Sequence, residues 1–240
     1  WRDVTMKASI KLTVVLLAAS VAVLPVQAQA WKKKEYSKWS ENDCRKLLSD
    51  SPWASSYTIG TVLFQPVNQE SAVGGRDMAP QVTYAAQFWS AKPVRQAIAR
   101  LQQLDDKYEK LPAEQKAALD ERLAQFLNME FPEQIVIQVS YSGSQAFMLS
   151  VARFWKQKTE GDLKQSFTLV MEGRRIAPAQ VVVAQGGANE MQLIFPRLMD
   201  GEPIVTASSK EIRLEIDDPN ETVRIPFKVK DMKIGEELVY

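Results

Sequence analysis

Histidine is missing from this chain, and cysteine occurs once in 240 residues. Zinc and copper sites draw on several imidazole and thiolate ligands, so Cys44 alone cannot build one. The same absence removes Ser-His and Cys-His nucleophile pairs, and any mechanism in which an imidazole moves the proton. One cysteine closes no internal disulfide. Stability must then rest on burial, with Cys44 either reduced and buried or paired with another chain. An excess of charge is lacking too: 30 Lys and Arg stand against 29 Asp and Glu. No global field draws the chain to nucleic acid or to acidic lipid. Nor is there an apolar run of the ~20 residues that cross a bilayer.

What is present is ordinary globular composition, 45% hydrophobic and 25% charged, enough for one good core or two small ones. The first 30 residues read as a cleaved export signal with Met6 as the start. Lys7 and Lys11 supply the basic region, Leu12 to Leu24 the apolar run, and Ala28-Gln29-Ala30 the cleavage site. Trp31 then begins the mature chain, no membrane span is left after cleavage, and the expected location is periplasmic or extracellular. Removing residues 1–30 takes away three basic and one acidic residue and leaves 27 against 28, a net of −1. Lys32, Lys33, Lys34 and Lys38 make a basic leader that Glu35 interrupts, a solvated segment rather than a phosphate-binding arm.

Trp39 to Ala54, WSENDCRKLLSDSPWA, carries a complete set of helix signals. Ser40 is a good N-cap with Asp43 three residues on, and Trp39 and Cys44 occupy the positions of a hydrophobic staple. Cys44, Leu47 and Leu48 share one face, and Pro52 stops the helix by Ser51. With SAKPVRQAIARL from Ser90, Phe195-Pro196-Arg197, and FKVKDM from Phe227 to Met232, this stretch resembles an uncharacterised family of exported bacterial proteins. The resemblance spans most of the mature chain. It implies export, and it brings no activity and no catalytic residues.

Periodicity predicts an α+β fold. Tyr57 to Phe64 and Val82 to Trp89 read as strands flanking a long loop, Gln65 to Pro80, which is a flap or an insertion. A helical hairpin follows. Val94, Ala97, Ile98, Leu101, Leu104 and Tyr108 line its first helix, and Leu119, Leu123, Phe126 and Leu127 its second. Ile135, Ile137, Val139 and Tyr141 alternate as a half-buried strand, and Ser144 to Gln157 is a helix. Beyond Gly161 the pattern predicts only strands: Phe167 to Glu172, Gln180 to Ala184, Met191 to Phe195, Glu211 to Ile216 and Thr222 to Val229. Pro226 marks the last as an edge or a bulge. The expected division is residues 31–160, helices with a small antiparallel sheet, and residues 161–240, an antiparallel immunoglobulin-like β-sandwich.

Few constellations suggest chemistry. Asp217, Asp218, Asn220 and Glu221 offer oxygen ligands suited to calcium, though without EF-hand spacing, and also make a good turn. Ser208-Ser209-Lys210 is a serine–lysine neighbourhood that strand alternation would split, so it reads as a loop. Many acids are present, but nothing in the sequence selects a pair for hydrolysis. Trp31 and Trp89 are the candidate partner-binding residues. No catalytic residue and no cofactor is expected. The leading expectation is an exported non-enzymatic protein acting by protein–protein contact in the cell envelope. Its alternative is a carboxylate-based hydrolase or small-ligand binder with a site under the 65–80 loop.

Overall fold

The computed structural model describes residues 30–60, 81–184 and 189–240. The expected export signal up to Gln29, the end of the first expected strand and the expected Gln65–Pro80 loop lie outside the described residues. A one-turn helix, α1 (Ala30–Lys33), leads to α2 (Glu41–Ser49). The cap of α2 is reciprocal: Ser40 Oγ accepts from Asp43 N–H, and Asp43 accepts from Ser40 N–H at 3.0 Å. Cys44 and Leu47 are fully buried beneath it, with Trp39 and Trp53 buried at its two ends. Next come β1 (Ala54–Gly60), β2 (Gln81–Phe88), α3 (Lys92–Asp105) and α4 (Ala113–Leu127). Pro93 sits in the first turn of α3, where its missing N–H costs nothing. Lys107, at φ 51°, turns the chain between the two helices. Leu119 and Leu123 of α4 then close on Ala99, with Tyr108 and Phe126 packed around them.

The chain continues through β3 (Gln134–Gly143), α5 (Gln145–Lys156), α6 (Glu160–Gln165), β4 (Phe167–Met171), β5 (Arg174–Ile176), β6 (Gln180–Val183) and β7 (Glu190–Pro196). Two-residue strands β8 (Leu198–Met199) and β9 (Glu202–Pro203) precede β10 (Glu211–Asp217) and β11 (Thr222–Lys228). A last small hairpin pairs β12 (Lys233–Ile234) with β13 (Glu237–Leu238). Two hairpins turn on residue pairs that both have positive φ, Glu172-Gly173 and Asp200-Gly201. Such turns match the twist of the strands they join.

Two antiparallel sheets share the core. One has the order β1-β2-β3-β7-β6, the other β11-β10-β4-β5. Val82, Tyr84, Ala86 and Phe88 alternate inward from β2, and Ile135, Ile137, Val139 and Tyr141 from β3. Phe167, Leu169, Ile212, Leu214, Ile216, Val223, Ile225 and Phe227 come from the second sheet into the same cluster. Burying each such side chain contributes roughly 1.5–3 kcal/mol. Phe88 meets Phe227 edge-on at 4.9 Å, and Trp155 of α5 stacks on Phe167 at 5.2 Å. β11 is an edge strand, which is why Pro226 opposite Arg213 is tolerated.

The helices and antiparallel sheets make the fold α+β. Two expectations need correction. A helix does exist beyond the expected boundary: α6 spans Glu160–Gln165, nucleated by a capping box in which Thr159 Oγ1 accepts from Asp162 N–H and Asp162 accepts in return. The Glu160-Gly161 step is therefore the first turn of a helix. The strands after it also divide. β4, β5, β10 and β11 form one sheet, whereas β6 and β7 pair onto β3 of the other. Residues on both sides of position 160 thus share one sheet and one core.

Candidate functional site

One cleft among the described residues has a volume of about 580 Å³ and is walled by three distant parts of the chain. The segment around α1 contributes Trp31, Lys34, Tyr36 and Trp39; the start of α3 contributes Lys92 and Gln96; the last hairpin contributes Ile234, Glu237 and Val239. Local bonds set the first wall. Trp39 Nε1 donates to Lys34 O at 3.1 Å, Arg100 Nε donates to Trp39 O at 3.1 Å, and Tyr36 meets the Trp39 ring edge-on at 6.5 Å. Lys34 Nζ stands 3.5 Å from Asp43. Hydrogen bonds from Ser40 and the Lys34 charge outweigh burial and hold the Asp43 carboxyl below its usual range.

Trp31 reaches the core rather than the surface. It is 8% exposed and meets Trp53 edge-on at 6.1 Å, and its buried Nε1 has no partner among the described residues. Trp53 Nε1 donates to Val239 O at 2.6 Å, so the carboxy-terminal hairpin is fastened to the same pair of indoles. Arg197 adds a second fastening: its Nη2 donates to Tyr240 O, and its guanidinium lies 4.1 Å from the Tyr240 ring centroid. Tyr240 OH in turn donates to Val205 O at 2.9 Å. The cleft has an apolar floor and mixed charge at the rim, with Lys34 and Lys92 against Glu35 and Glu237. That lining suits an amphipathic segment or small molecule. It offers no positioned nucleophile–base pair.

The other sequence candidates lie elsewhere. Trp89 lines a separate recess of about 270 Å³ with Gln138, Val182, Glu190 and Gln192, and its ring rests on Phe126 at 5.6 Å. Glu190 is the one acid in that lining, and its Oε2 accepts from Gln138 Nε2 at 2.8 Å. Carboxylate catalysis needs two. In the Asp217–Glu221 turn, Asp218 Oδ1 accepts from Asn220 N–H at 2.9 Å and Nδ2 at 2.8 Å, while Oδ2 accepts from Tyr84 OH at 2.6 Å. Both Asp218 oxygens thus serve the fold. Among the described residues no group of three or more acids and cysteines is arranged to hold a metal ion. Ser209 Oγ accepts from Thr206 N–H at 3.2 Å and Ser208 bonds Thr206 Oγ1 at 2.8 Å, within a loop.

Three groupings have no forerunner in the sequence reading. Trp155 Nε1 donates to Tyr84 OH at 3.1 Å, completing a buried Trp155–Tyr84–Asp218 chain. Burial, then the bond to Asp218, pushes the Tyr84 phenol up. Arg175, Arg213 and Arg224 converge on Glu215 at 2.8, 3.1 and 3.7 Å, on the outer face of the second sheet. Arg95 is a buried cation in α3, 4% exposed. The sequence signal for Arg95 was its place between Val94 and Ala97 on the inward face; for Glu215 it was the Arg-Leu-Glu alternation opposite Arg224.

No family model matches the chain, and no curated protein matches it. Among solved structures, the chain resembles a novel protein of unknown function from Burkholderia pseudomallei, with a TM-score of 0.40 and 9% identity over 59% of this chain and 72% of the other.

Proposed function

We propose that this is an exported, non-enzymatic binding protein of the bacterial cell envelope that engages a protein partner through the Trp31–Trp39 cleft. The observation that carries this reading is the cleft itself. It is open, floored by aromatic residues and walled by segments 200 residues apart in the chain, Trp31–Trp39 and Ile234–Val239. Aromatic anchors within a mixed polar rim are the usual make-up of a contact surface. Export is supported by the basic, apolar and A-x-A order of residues 7–30 and by the resemblance of Trp39–Ala54 and Phe227–Met232 to exported bacterial proteins. Among the described residues no helix is long and apolar enough to cross a membrane. An immunoglobulin-like relationship for the carboxy-terminal strands is part of the same proposal. Its support is the alternate burial of β4 and β11.

Fractionation followed by amino-terminal sequencing tests export. The expected result is a periplasmic or extracellular protein beginning at Trp31; an unprocessed cytoplasmic product contradicts it. A second reading, a small-ligand binder, is favoured by the cleft's volume of about 580 Å³, which lies in the range of small-molecule pockets. Loss of binding to a purified partner in Tyr36→Ala, with no ligand retained on purification, separates the first reading from the second.

A further inference from the structure

The five-stranded sheet carries a recess of about 270 Å³ on its outer face, built over one row of paired strands. Gln138 of β3 stands opposite Gln192 of β7, and Gln192 opposite Val182 of β6, so these three side chains leave the sheet on the same side. Their chain neighbours Ile137, Val139, Leu193 and Val181 point the other way, into the core. Glu190, two residues from Gln192 along β7, returns to the outer face. Trp89, just past the end of β2, bounds the recess and rests on Phe126 of α4 at 5.6 Å.

The polar heads in this recess are joined to one another. Gln192 Nε2 donates to Gln138 Oε1 at 3.3 Å, and Gln138 Nε2 donates to Glu190 Oε2 at 2.8 Å. Three side chains from two strands thus meet at one place. Their bonding capacity is not used up. A primary amide has two N–H groups and an acceptor oxygen, so each glutamine keeps one N–H to give. Among the described residues, Gln192 Oε1 and Glu190 Oε1 accept no hydrogen bond. Beside these heads Val182 is left 40% exposed, an apolar side chain next to two half-buried glutamines.

We propose that this recess holds one ring of a neutral saccharide, its hydroxyls on the Gln138, Gln192 and Glu190 heads and its C–H face against Trp89 and Val182. A hydroxyl donates and accepts at once, and neighbouring ring hydroxyls match heads that offer N–H and oxygen side by side. The C–H face of the ring suits an indole and a valine. Other ligand classes use the recess less well. Glu190 is the one charge in the lining, so an anion is repelled. An ammonium would satisfy Glu190 but leave both amide N–H groups facing a head that accepts nothing. A volume of about 270 Å³, just below the ~300–1,000 Å³ of drug-sized pockets, limits the ligand to a single ring. The hydrogen-bonded heads are held in place beforehand, which lowers the ordering cost of binding. The site is separate from the Trp31 cleft and does not rest on its proposed partner.

The test uses the whole chain and ligand-observed NMR. The probes are the methyl glycosides of glucose, galactose, mannose and N-acetylglucosamine, with glucuronate and choline as the anionic and cationic controls. At least one glycoside should bind saturably at millimolar concentration, at least tenfold more tightly than either control. Gln192→Leu keeps the bulk and removes the amide, and should weaken that glycoside about tenfold. Glu190→Gln, at an exposed position, keeps an acceptor and removes the charge, and should let glucuronate bind. The urea midpoint of each variant, compared with the unaltered chain, shows that it is folded. No saturable binding of any of the four glycosides overturns the proposal. So does choline bound more tightly than all of them, a glycoside affinity unmoved by folded Gln192→Leu, or glucuronate still excluded by Glu190→Gln.

Discussion

Tyr84 and Asp218, 134 residues apart, meet in a buried 2.6 Å hydrogen bond that joins the middle of β2 to the turn between β10 and β11. This bond ties the two sheets together, and Trp155 Nε1 completes the hydrogen bonding of the Tyr84 oxygen. Replacing Tyr84 with Phe keeps the ring packing against Tyr141 and Trp155 but strips Asp218 Oδ2 and the Trp155 indole of their partner. Unfolding in urea should show a loss of about 1–3 kcal/mol with an unchanged slope. A wild-type midpoint in Tyr84→Phe would mean the clasp contributes nothing.

The same phenol governs the alkaline limit. Burial, followed by the Asp218 bond, raises its pKa in the folded chain above the ordinary value of 10.0. Burial raises Tyr141 as well. A raised native pKa means the folded state holds its proton while the unfolded state releases it. Stability from Tyr84 is therefore intact below pH 10 and is lost as pH climbs above that. Thermal melts between pH 9 and 11.5 should fall with pH, and the fall should be shallower in Tyr84→Phe.

Glu215 contributes to the acid limit, as does Asp43 in the α2 cap. Burial pushes the Glu215 carboxyl up, but Arg175 and Arg213, by hydrogen bond and by charge, more than reverse this and hold it below 4.5. Stability from this group is present above that value and is lost as pH falls through the lowered native pKa. Arg175→Ala should move the acid unfolding midpoint to higher pH. A midpoint that stays in place would assign the acid limb to other carboxylates.

How much of this was legible beforehand differs by element. The α2 cap could be read because Ser40, Asp43, Cys44 and Pro52 each act on near neighbours in sequence. β2, β3, β10 and β11 could be read because one buried face imposes strict alternation. α6 was missed although Thr159 and Asp162 form the same capping box as Ser40 and Asp43, since only six residues follow and Leu163 alone is buried. The pairing of β7 with β3 was invisible for a different reason: Met191, Leu193 and Phe195 suit either sheet. Their partner is settled by packing across some fifty residues of chain. The Trp31 cleft is less legible still, because its walls come from both ends of the described chain. Trp31 could be named as a candidate, but not its burial against Trp53.

Cys44 is predicted to be inert. It is fully buried, and burial pushes its thiol up to about 11. A thiolate fraction near 1 in 1,000 at pH 8 follows from that value, before access is counted. Disulfide reagents should leave the native protein unmodified over the time in which the urea-unfolded chain reacts to completion. Rapid native reaction would place Cys44 at the surface.

The Trp31–Trp39 cleft is the proposed seat of the partner. Photo-crosslinking in intact cells tests it most directly, with the reactive side chain placed at Tyr36 or Ile234 in the cleft and at the exposed Glu121 of α4 as the control. The expected result is a discrete protein adduct from both cleft positions and none from Glu121. No adduct from the cleft, or the same adducts from all three positions, would contradict it.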